Sequence, residues 1–213
     1  LGSATLDMAA ATDALDTGAT VILDRLTVAR LATESTGLSA GDPVASGFTF
    51  WGQPFGAVTS QGARDGFDGY QAGSYGITLG ADTRMAPAVR AGVALTLSNT
   101  SLSYSGSLSG NTGSVFTAEL ALYGSWYLPH NVFIDCLVGA AYNHYSRHNL
   151  ISALGEALDS DSGGSQFTAR IGAGYDAKLG NGAIATPYVS LQQSHFNFGG
   201  YTTTGGSDFA IDQ

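Results

Sequence analysis

The residues of this chain that could carry chemistry are few and far apart. His144 and His148 look like a spaced metal pair, but four residues of a strand span about 13 Å, which is too far for one ion. Ser, His and Asp all occur, yet the sequence has no Gly-x-Ser-x-Gly elbow, and His130 and His195 fall on a turn and at a strand end. We therefore expect no metal ion, no cofactor and no catalytic residue, so that the chain is not an enzyme.

Seven other ionisable residues lie at positions that alternate with apolar ones. They are Arg90, Glu119, Asp135, Arg147, Arg170, Asp176 and Lys178. Both signs of charge occur among them, and all belong to the Gly-rich face of the strands predicted below. Because opposite charges on one face can form ion pairs, we expect these side chains to brace the fold and not to react.

The composition narrows the class of protein to which these residues belong. Only 12% of the residues are charged and 30 are Gly, whereas a soluble globular protein has about 25% charged residues. A net charge of −9 with only 8 Lys and Arg residues argues against nucleic acid as a partner. Since no secretion signal opens the chain, we expect it to be an internal fragment.

Residues 1–46 form the first predicted unit, a linker that contains an α-helix. The segment from Asp13 to Thr36 has no Pro and contains Ala, Leu and Arg, which are good helix formers. Apolar residues recur in it at three- to seven-residue spacings. The helix residues that we expect to contact the rest of the fold are Leu15, Ile22, Leu26, Arg25 and Arg30.

After Ser46 the hydrophobic period changes to two, and residues 47–213 form the second predicted unit. Alternation of apolar with polar or Gly residues predicts strands with two different faces. The fourth to sixth segments alternate throughout, whereas the first alternates least cleanly and includes Pro54, which lacks a backbone N–H. The seven predicted strands are residues 48–60, 70–82, 89–104, 116–128, 132–143, 166–179 and 184–198.

Two-faced strands of low charge indicate contact with lipid. No run of 18 or more apolar residues occurs, which excludes a transmembrane helix. A closed barrel also spans lipid, and it needs only every second residue to be apolar. We predict an all-β, antiparallel, up-and-down transmembrane barrel. Because Arg or Lys on its lipid face would cost about 2 to 4 kcal/mol at mid-depth, the seven charges should face an aqueous lumen.

The connections between strands alternate in length. Outer-membrane barrels have short periplasmic turns and longer extracellular loops, so we expect the short set inside and the long set outside. The short turns are 84–88, 129–131 and 180–183, and the long loops are 62–69, 101–114, 148–165 and 199–207. Aromatic residues near strand ends predict an interfacial girdle, formed by Trp126, Tyr127, Tyr142, Tyr145, Tyr104 and Tyr201.

The order of these pieces resembles the β-domain of autotransporters, the type V secretion family. The resemblance covers Gly47 to about Gln213. It rests on the aromatic-Gly strand FWGQPFGAVTS, an acidic Gly-rich loop, the run YGITLGAD and the strand RAGVALTL. Later stretches agree, namely FTAELALYGSWYL, VFIDCLVGAAYNHYSR, FTARIGAGYDAKLG and ATPYVSLQQSHF. The order and spacing of these pieces carry the resemblance.

This resemblance implies a twelve-stranded barrel, of which the chain would hold about seven to eight strands, with the Asp13–Thr36 helix in its lumen. It implies an outer-membrane translocator domain of a Gram-negative bacterium that anchors and exports an N-terminal passenger. The implied partners are that passenger, outer-membrane lipid, the barrel-assembly machinery and periplasmic chaperones. The family's closing aromatic residue is not found here, so we expect about five further strands beyond this chain. The Asn-Asn cleavage point of one subgroup is also not found, which leaves cleavage of the passenger open.

Two other classes of function stay open on the sequence alone. A small eight-stranded surface barrel acting as an adhesin predicts no lumen helix and a C-terminus soon after Gln213. A soluble β-barrel hydrolase predicts a water-soluble monomer with a convergent site. If the apolar rows packed against one another in a dry interior, the membrane assignment would be wrong.

Overall fold

The structure, a computed structural model, describes residues 2–31, 47–62, 68–106, 109–151, 156–180 and 183–204. The described residues form one α-helix and nine β-strands. They are α1 (Gly2–Leu31), β1 (Phe48–Gln61), β2 (Gly69–Ala86), β3 (Val89–Ser105), β4 (Thr112–Tyr127), β5 (Val132–Ile151), β6 (Glu156–Tyr175), β7 (Ala177–Gly180), β8 (Ala183–Ala185) and β9 (Tyr188–Thr204). A 3-10 turn at Pro129–Asn131 joins β4 to β5. No helix in these described ranges is both long enough and apolar enough to cross a membrane.

Seven strands form one antiparallel sheet, in the order β1-β2-β3-β4-β5-β6-β9. Neighbours along the chain pair with each other, apart from β7 and β8, which form a separate hairpin. Pro54 lies on β1, opposite Ile77 of β2, and has no backbone N–H to donate to a neighbouring strand. This meander is the up-and-down arrangement, so the predicted fold class is confirmed.

The apolar face of the sheet is the exposed face. Leu120 and Leu122 of β4 are 61% and 56% exposed, and Leu191 of β9 is 76% exposed. On β4 the residues that alternate with these leucines are buried, namely Glu119, Ala121 and Tyr123. A protein that folds in water places these two kinds of residue the other way round. The apolar rows therefore form an outer face, and the polar rows form an inner face.

Aromatic residues bound the apolar part of the outer face. Phe116 and Trp126 of β4 are both exposed and lie ten residues apart. At about 3.3 Å per residue and a tilt of about 40°, that interval covers about 25 Å, the height of a barrel's apolar band. Tyr142 is also exposed, but Tyr104 and Tyr145 are buried on the inner face, so their assignment to the girdle was wrong.

Helix α1 begins eleven residues before the predicted start at Asp13. The preceding stretch includes Ala9, Ala10 and Ala11, which favour a helix by propensity although they add no hydrophobic period. Residues 32–36 of the predicted helix lie outside the described residues. The division into units at residues 46 and 47 stays a prediction.

Strands β5 and β6 extend far into the predicted loop at 148–165, and that boundary was wrong. Their pairing continues to Ile151 opposite Glu156. The loop predicted at 101–114 is shortened in the same way, because β3 runs on to Ser105 and β4 begins at Thr112. Outside the apolar band both faces of a strand meet water. The hydrophobic alternation therefore ends while the backbone ladder continues.

Strand β6 ends at Tyr175, before the predicted residue 179. The Tyr175 N–H donates to the Pro187 carbonyl at 3.2 Å, and the Asp176 N–H donates to the Asn131 carbonyl at 2.9 Å. Pro187 has no N–H with which to continue the main ladder. The chain instead forms the β7–β8 hairpin, and Lys178, which we expected on the strand's polar face, is exposed on this hairpin.

Candidate functional site: the helix and the inner face of the sheet

Helix α1 packs on the inner face, against β1 to β5. The predicted helix residues Leu15, Ile22 and Leu26 are 3%, 0% and 0% exposed. Ile22 and Leu26 belong to a buried cluster that also contains Trp51 of β1 and Leu137 of β5. Because that cluster reaches both strands, the sheet surrounds the helix on more than one side.

The helix approaches the wall closely at Gly18. A Cβ atom built at Gly18 would lie 2.9 Å from Cγ2 of Thr96 on β3, which is closer than two carbon atoms can pack. The wall here carries hydroxyl groups: Thr78 and Thr96 share a hydrogen bond of 3.1 Å, and Thr117 donates to Asn143 at 2.7 Å. The inner face is therefore narrow and polar at this height.

Arg25 of the helix binds a buried carboxylate on β2, that of Asp82, which is 0% exposed. Its Nε donates to Asp82 Oδ2 at 2.9 Å. Arg90 of β3 also donates to this carboxylate, and the Tyr123 hydroxyl donates to it at 3.2 Å. The Trp51 indole N–H donates in turn to the Tyr123 hydroxyl at 2.8 Å. We call these five residues the Asp82 cluster.

Arg30, five residues or about 1.4 helical turns further on, binds the opposite part of the wall. Its Nε donates to Asp176 Oδ2 at 2.8 Å, and its Nη1 lies 4.0 Å from Asp135 Oδ2. The guanidinium carbon lies 3.4 Å above the ring centroid of Phe133, a cation–π arrangement. We call these four residues the Arg30 cluster. Both helix arginines thus end on carboxylates of the inner face.

The other predicted wall residues are not all brought to the helix. Glu119 is 2% exposed and lies over Gly139, where any side chain would collide with its carboxylate. Its Oε2 atom has no hydrogen-bond partner among the described residues. Arg170 donates to a serine hydroxyl of β9 at 3.2 Å. Arg147 is half-buried near the loop end of β5, and Lys178 is on the exposed β7–β8 hairpin.

Sequence reasoning missed the three wall residues of the Asp82 cluster that are not basic. Asp82 lies at an even-numbered position of β2, whereas the apolar Ile77 and Leu79 lie at odd-numbered ones. This alternation would have predicted that Asp82 lies on the inner face. Trp51 and Tyr123 are aromatic, and an aromatic residue on a polar face gives no such signal. Their role depends on contacts between strands that are distant in sequence.

The histidines of β5 pair with aspartates of β6 on the outer face, beyond the aromatic residues. The Nδ1 atom of His148 lies 2.6 Å from Asp159. Ser146 donates to Asp161 at 2.7 Å, while Nε2 of His144 lies 3.5 Å from the serine hydroxyl and 3.8 Å from that carboxylate. A catalytic imidazole joins serine and aspartate through two different nitrogens. These exposed groups therefore form cross-strand polar pairs and do not have the geometry of a triad.

Comparison with known sequences agrees with this architecture. The family model described as "Autotransporter beta-domain" matches residues 50–212. Outer membrane protein B of Rickettsia prowazekii (strain Madrid E) is 28% identical over 104 residues, which are 48% of this chain and 6% of that protein.

Two solved structures share the fold. The translocator domain of the autotransporter NalP from Neisseria meningitidis matches with a TM-score of 0.74 at 13% identity, over 95% of this chain and 63% of that one. The β-domain of the Bordetella autotransporter BrkA matches with a TM-score of 0.54 at 15% identity, over 78% of this chain and 65% of that one. The chain thus spans less than two thirds of the length of each of these proteins.

Proposed function

The chain belongs to the autotransporter β-domain family, and we propose that it anchors an N-terminal passenger and exports it through the space that α1 fills in this structure. It is an outer-membrane translocator domain of a Gram-negative bacterium, and this family implies an associated passenger domain. The identity, activity and cleavage of that passenger are properties of the whole protein, and this chain spans less than two thirds of the length of the proteins that it matches.

The inverted burial of the sheet supports this proposal most directly. The outer rows are exposed and apolar, as at Leu120, while the inner rows carry the buried polar and charged residues of the wall and an apolar patch around Trp51 and Leu137 that packs on the helix. The apolar outer rows suit contact with lipid, and the polar residues of the inner rows suit an aqueous passage. A small surface barrel without a lumen helix does not explain α1, and a soluble hydrolase does not explain the exposed leucine rows.

The direction of α1 supports export towards the loop end of the barrel. Gly18 lies beside Thr96, midway along β3, whereas Leu31 lines the same cavity as His130 and Asn131 at the short turn. The helix therefore runs towards the short-turn end, where β1 also begins. A passenger joined before Gly2 would leave at the opposite end, which the short-turn rule places outside the cell.

In this proposal the lumen-facing residues hold the helix and brace the wall, and no catalytic step is assigned to them. The wall set is Asp82, Arg90, Glu119, Asp135, Arg147, Arg170 and Asp176, and the helix set is Leu15, Ile22, Leu26, Arg25 and Arg30. Lys178 leaves the wall set because it lies on the β7–β8 hairpin. We also propose that the barrel-assembly machinery and periplasmic chaperones handle this chain before it reaches lipid.

Protease treatment of intact cells tests the export half of the proposal. In cells that make the whole protein, protease added outside should remove the proposed passenger while the barrel keeps its compact, heat-modifiable form on gels. A barrel that is folded in the membrane while its passenger stays protected inside the cell would contradict export. A chain whose migration does not change on heating would contradict the barrel itself.

Single-channel recording tests whether α1 fills the passage. The whole domain in a planar bilayer should show small conductance, and an in-frame deletion of residues 2–31 should raise it several-fold. Equal conductance with and without the helix would show that the inner face is not the route.

A further inference from the structure

We propose that the two helix arginines have different roles: Arg25 fastens the helix to a carboxylate that the wall already neutralises, whereas Arg30 supplies a counter-ion that the wall itself lacks. Arg30 then neutralises carboxylates of the wall, and through it the helix contributes to the stability of the short-turn end. This inference rests on the proposed function only in taking the inner face as the lumen.

The Asp82 carboxylate keeps partners when Arg25 is removed. Arg90 of β3 and the Tyr123 hydroxyl of β4 both donate to it from the wall, and Trp51 holds that hydroxyl at 2.8 Å. All three belong to the sheet, so they stay in place whether or not the helix is seated. A buried carboxylate with a cation and a hydroxyl donor is compensated.

The carboxylates of Asp135 and Asp176 have no such wall cation. Ser125 donates to Asp135, and Thr186 donates to Asp176 at 2.7 Å, but a hydroxyl carries no charge. Within the described ranges, Arg30 is the basic residue that lies within 4.0 Å of either carboxylate. Both aspartate side chains are at most 10% exposed.

The other basic residues around this site are hydrogen-bonded or exposed. Arg170 donates to Ser190 on β9. Lys178 and His130 line the same cavity as Arg30 and Asp176, but neither forms an ion pair with a described carboxylate. Without Arg30, two buried carboxylates would face each other's charge at the short-turn end. Removing one partner of a buried ion pair leaves such an uncompensated charge and is strongly destabilising.

Matched substitutions in the whole protein separate the two roles. Arg25→Gln and Arg30→Gln remove one charge each, five residues apart on the same helix. The midpoint temperature of heat-modifiable migration should fall by about 10 °C for Arg30→Gln and by about 2 °C or less for Arg25→Gln. Equal losses for the two variants would overturn the proposal.

Charge removal on the wall provides the rescue. In the Arg30→Gln background, Asp135→Asn with Asp176→Asn should restore most of the lost midpoint, because no charge is then left unpaired. Failure of this rescue would mean that Arg30 acts through packing on Phe133, and it would overturn the counter-ion role. Arg30→Lys, which keeps the charge, should lose less than Arg30→Gln.

Recovery of the folded barrel and protease access to the passenger are two further measurements. If Arg30→Gln gives no folded barrel, recovery of the folded form by the two asparagine substitutions supports the proposal, and no recovery overturns it. Protease access to the passenger, measured in the same strains, reports export separately. The thermal asymmetry can therefore fail while export holds, or hold while export fails.

Discussion

Leu120 lies near the middle of the outer face and is the residue at which lipid contact can be measured most directly. It is 61% exposed and lies between Phe116 and Trp126 on β4. Leu120→Arg should reduce the free energy of unfolding by about 2 to 4 kcal/mol, the cost of a cation at mid-depth. Urea unfolding of the barrel in lipid vesicles measures this loss.

The matched control is Ser114→Arg on the same face of the same strand. Ser114 lies beyond Phe116, outside the apolar band, so the same charge should cost about 0 to 1 kcal/mol there. Equal losses at the two positions would contradict a bilayer around the outer face.

For single residues, the sequence predicted which face of a strand a side chain lies on, but it did not predict which residue that side chain contacts. Glu119 and Asp135 alternate with leucine, valine and isoleucine, so their place on the inner face followed from counting. Tyr104 has the same inner parity and was nevertheless expected in the girdle, because an aromatic side chain suits either face. The bond between Arg25 and Asp82 joins residues 57 positions apart, which no local count predicts.

Helix α1 is the element whose seating sets the width of the passage, and Gly18 sets its distance from β3. Gly18→Leu would place a side chain where Thr96 already lies, so the helix should move away from the wall. The conductance of the domain in a planar bilayer should then rise several-fold above that of the unchanged protein.

Thr20→Ala is the control for this substitution. Thr20 lies on the same helix but on the side away from Thr96, and alanine adds no side-chain volume, so the conductance should stay near its original value. If both variants conduct equally, the contact at Gly18 does not position the helix.

The strands show where a sequence pattern stops being informative. Over the apolar band, β4 was predicted to within a few residues, because lipid and lumen impose opposite demands on its two faces. The loop-end parts of β5 and β6 were missed. Both faces of these strands meet water there, so nothing selects for an alternation of apolar and polar side chains. The end of β6 at Tyr175 was missed because it depends on hydrogen bonds to Pro187 and Asn131.

For the whole molecule, the single cysteine reports how the barrel sits in the membrane. Cys136 is exposed on the outer face of β5, beside Gly124 of β4 and Ile171 of β6. On intact cells it should resist a membrane-impermeant maleimide, because acyl chains cover this height. Heating in detergent should make it reactive, and the mass shift of the purified protein measures both states.

The matched probe is Thr112→Cys in a Cys136→Ser background. Thr112 is exposed at the loop end, opposite His148, and should react on intact cells. Protection of Thr112→Cys together with labelling of Cys136 would mean that the orientation or the lipid contact is wrong.

The sequence alone determined the two-faced strands, their antiparallel order and the family. Each of these depends on the alternation of side chains along one strand or on the order of strands along the chain, and both are local properties. The tertiary structure decided which charges meet, because the Asp82 and Arg30 clusters require the strand register, the curvature of the sheet and the direction of α1 together. An ion pair between Arg30 and Asp176, 146 positions apart, exists only after the wall has folded around the helix.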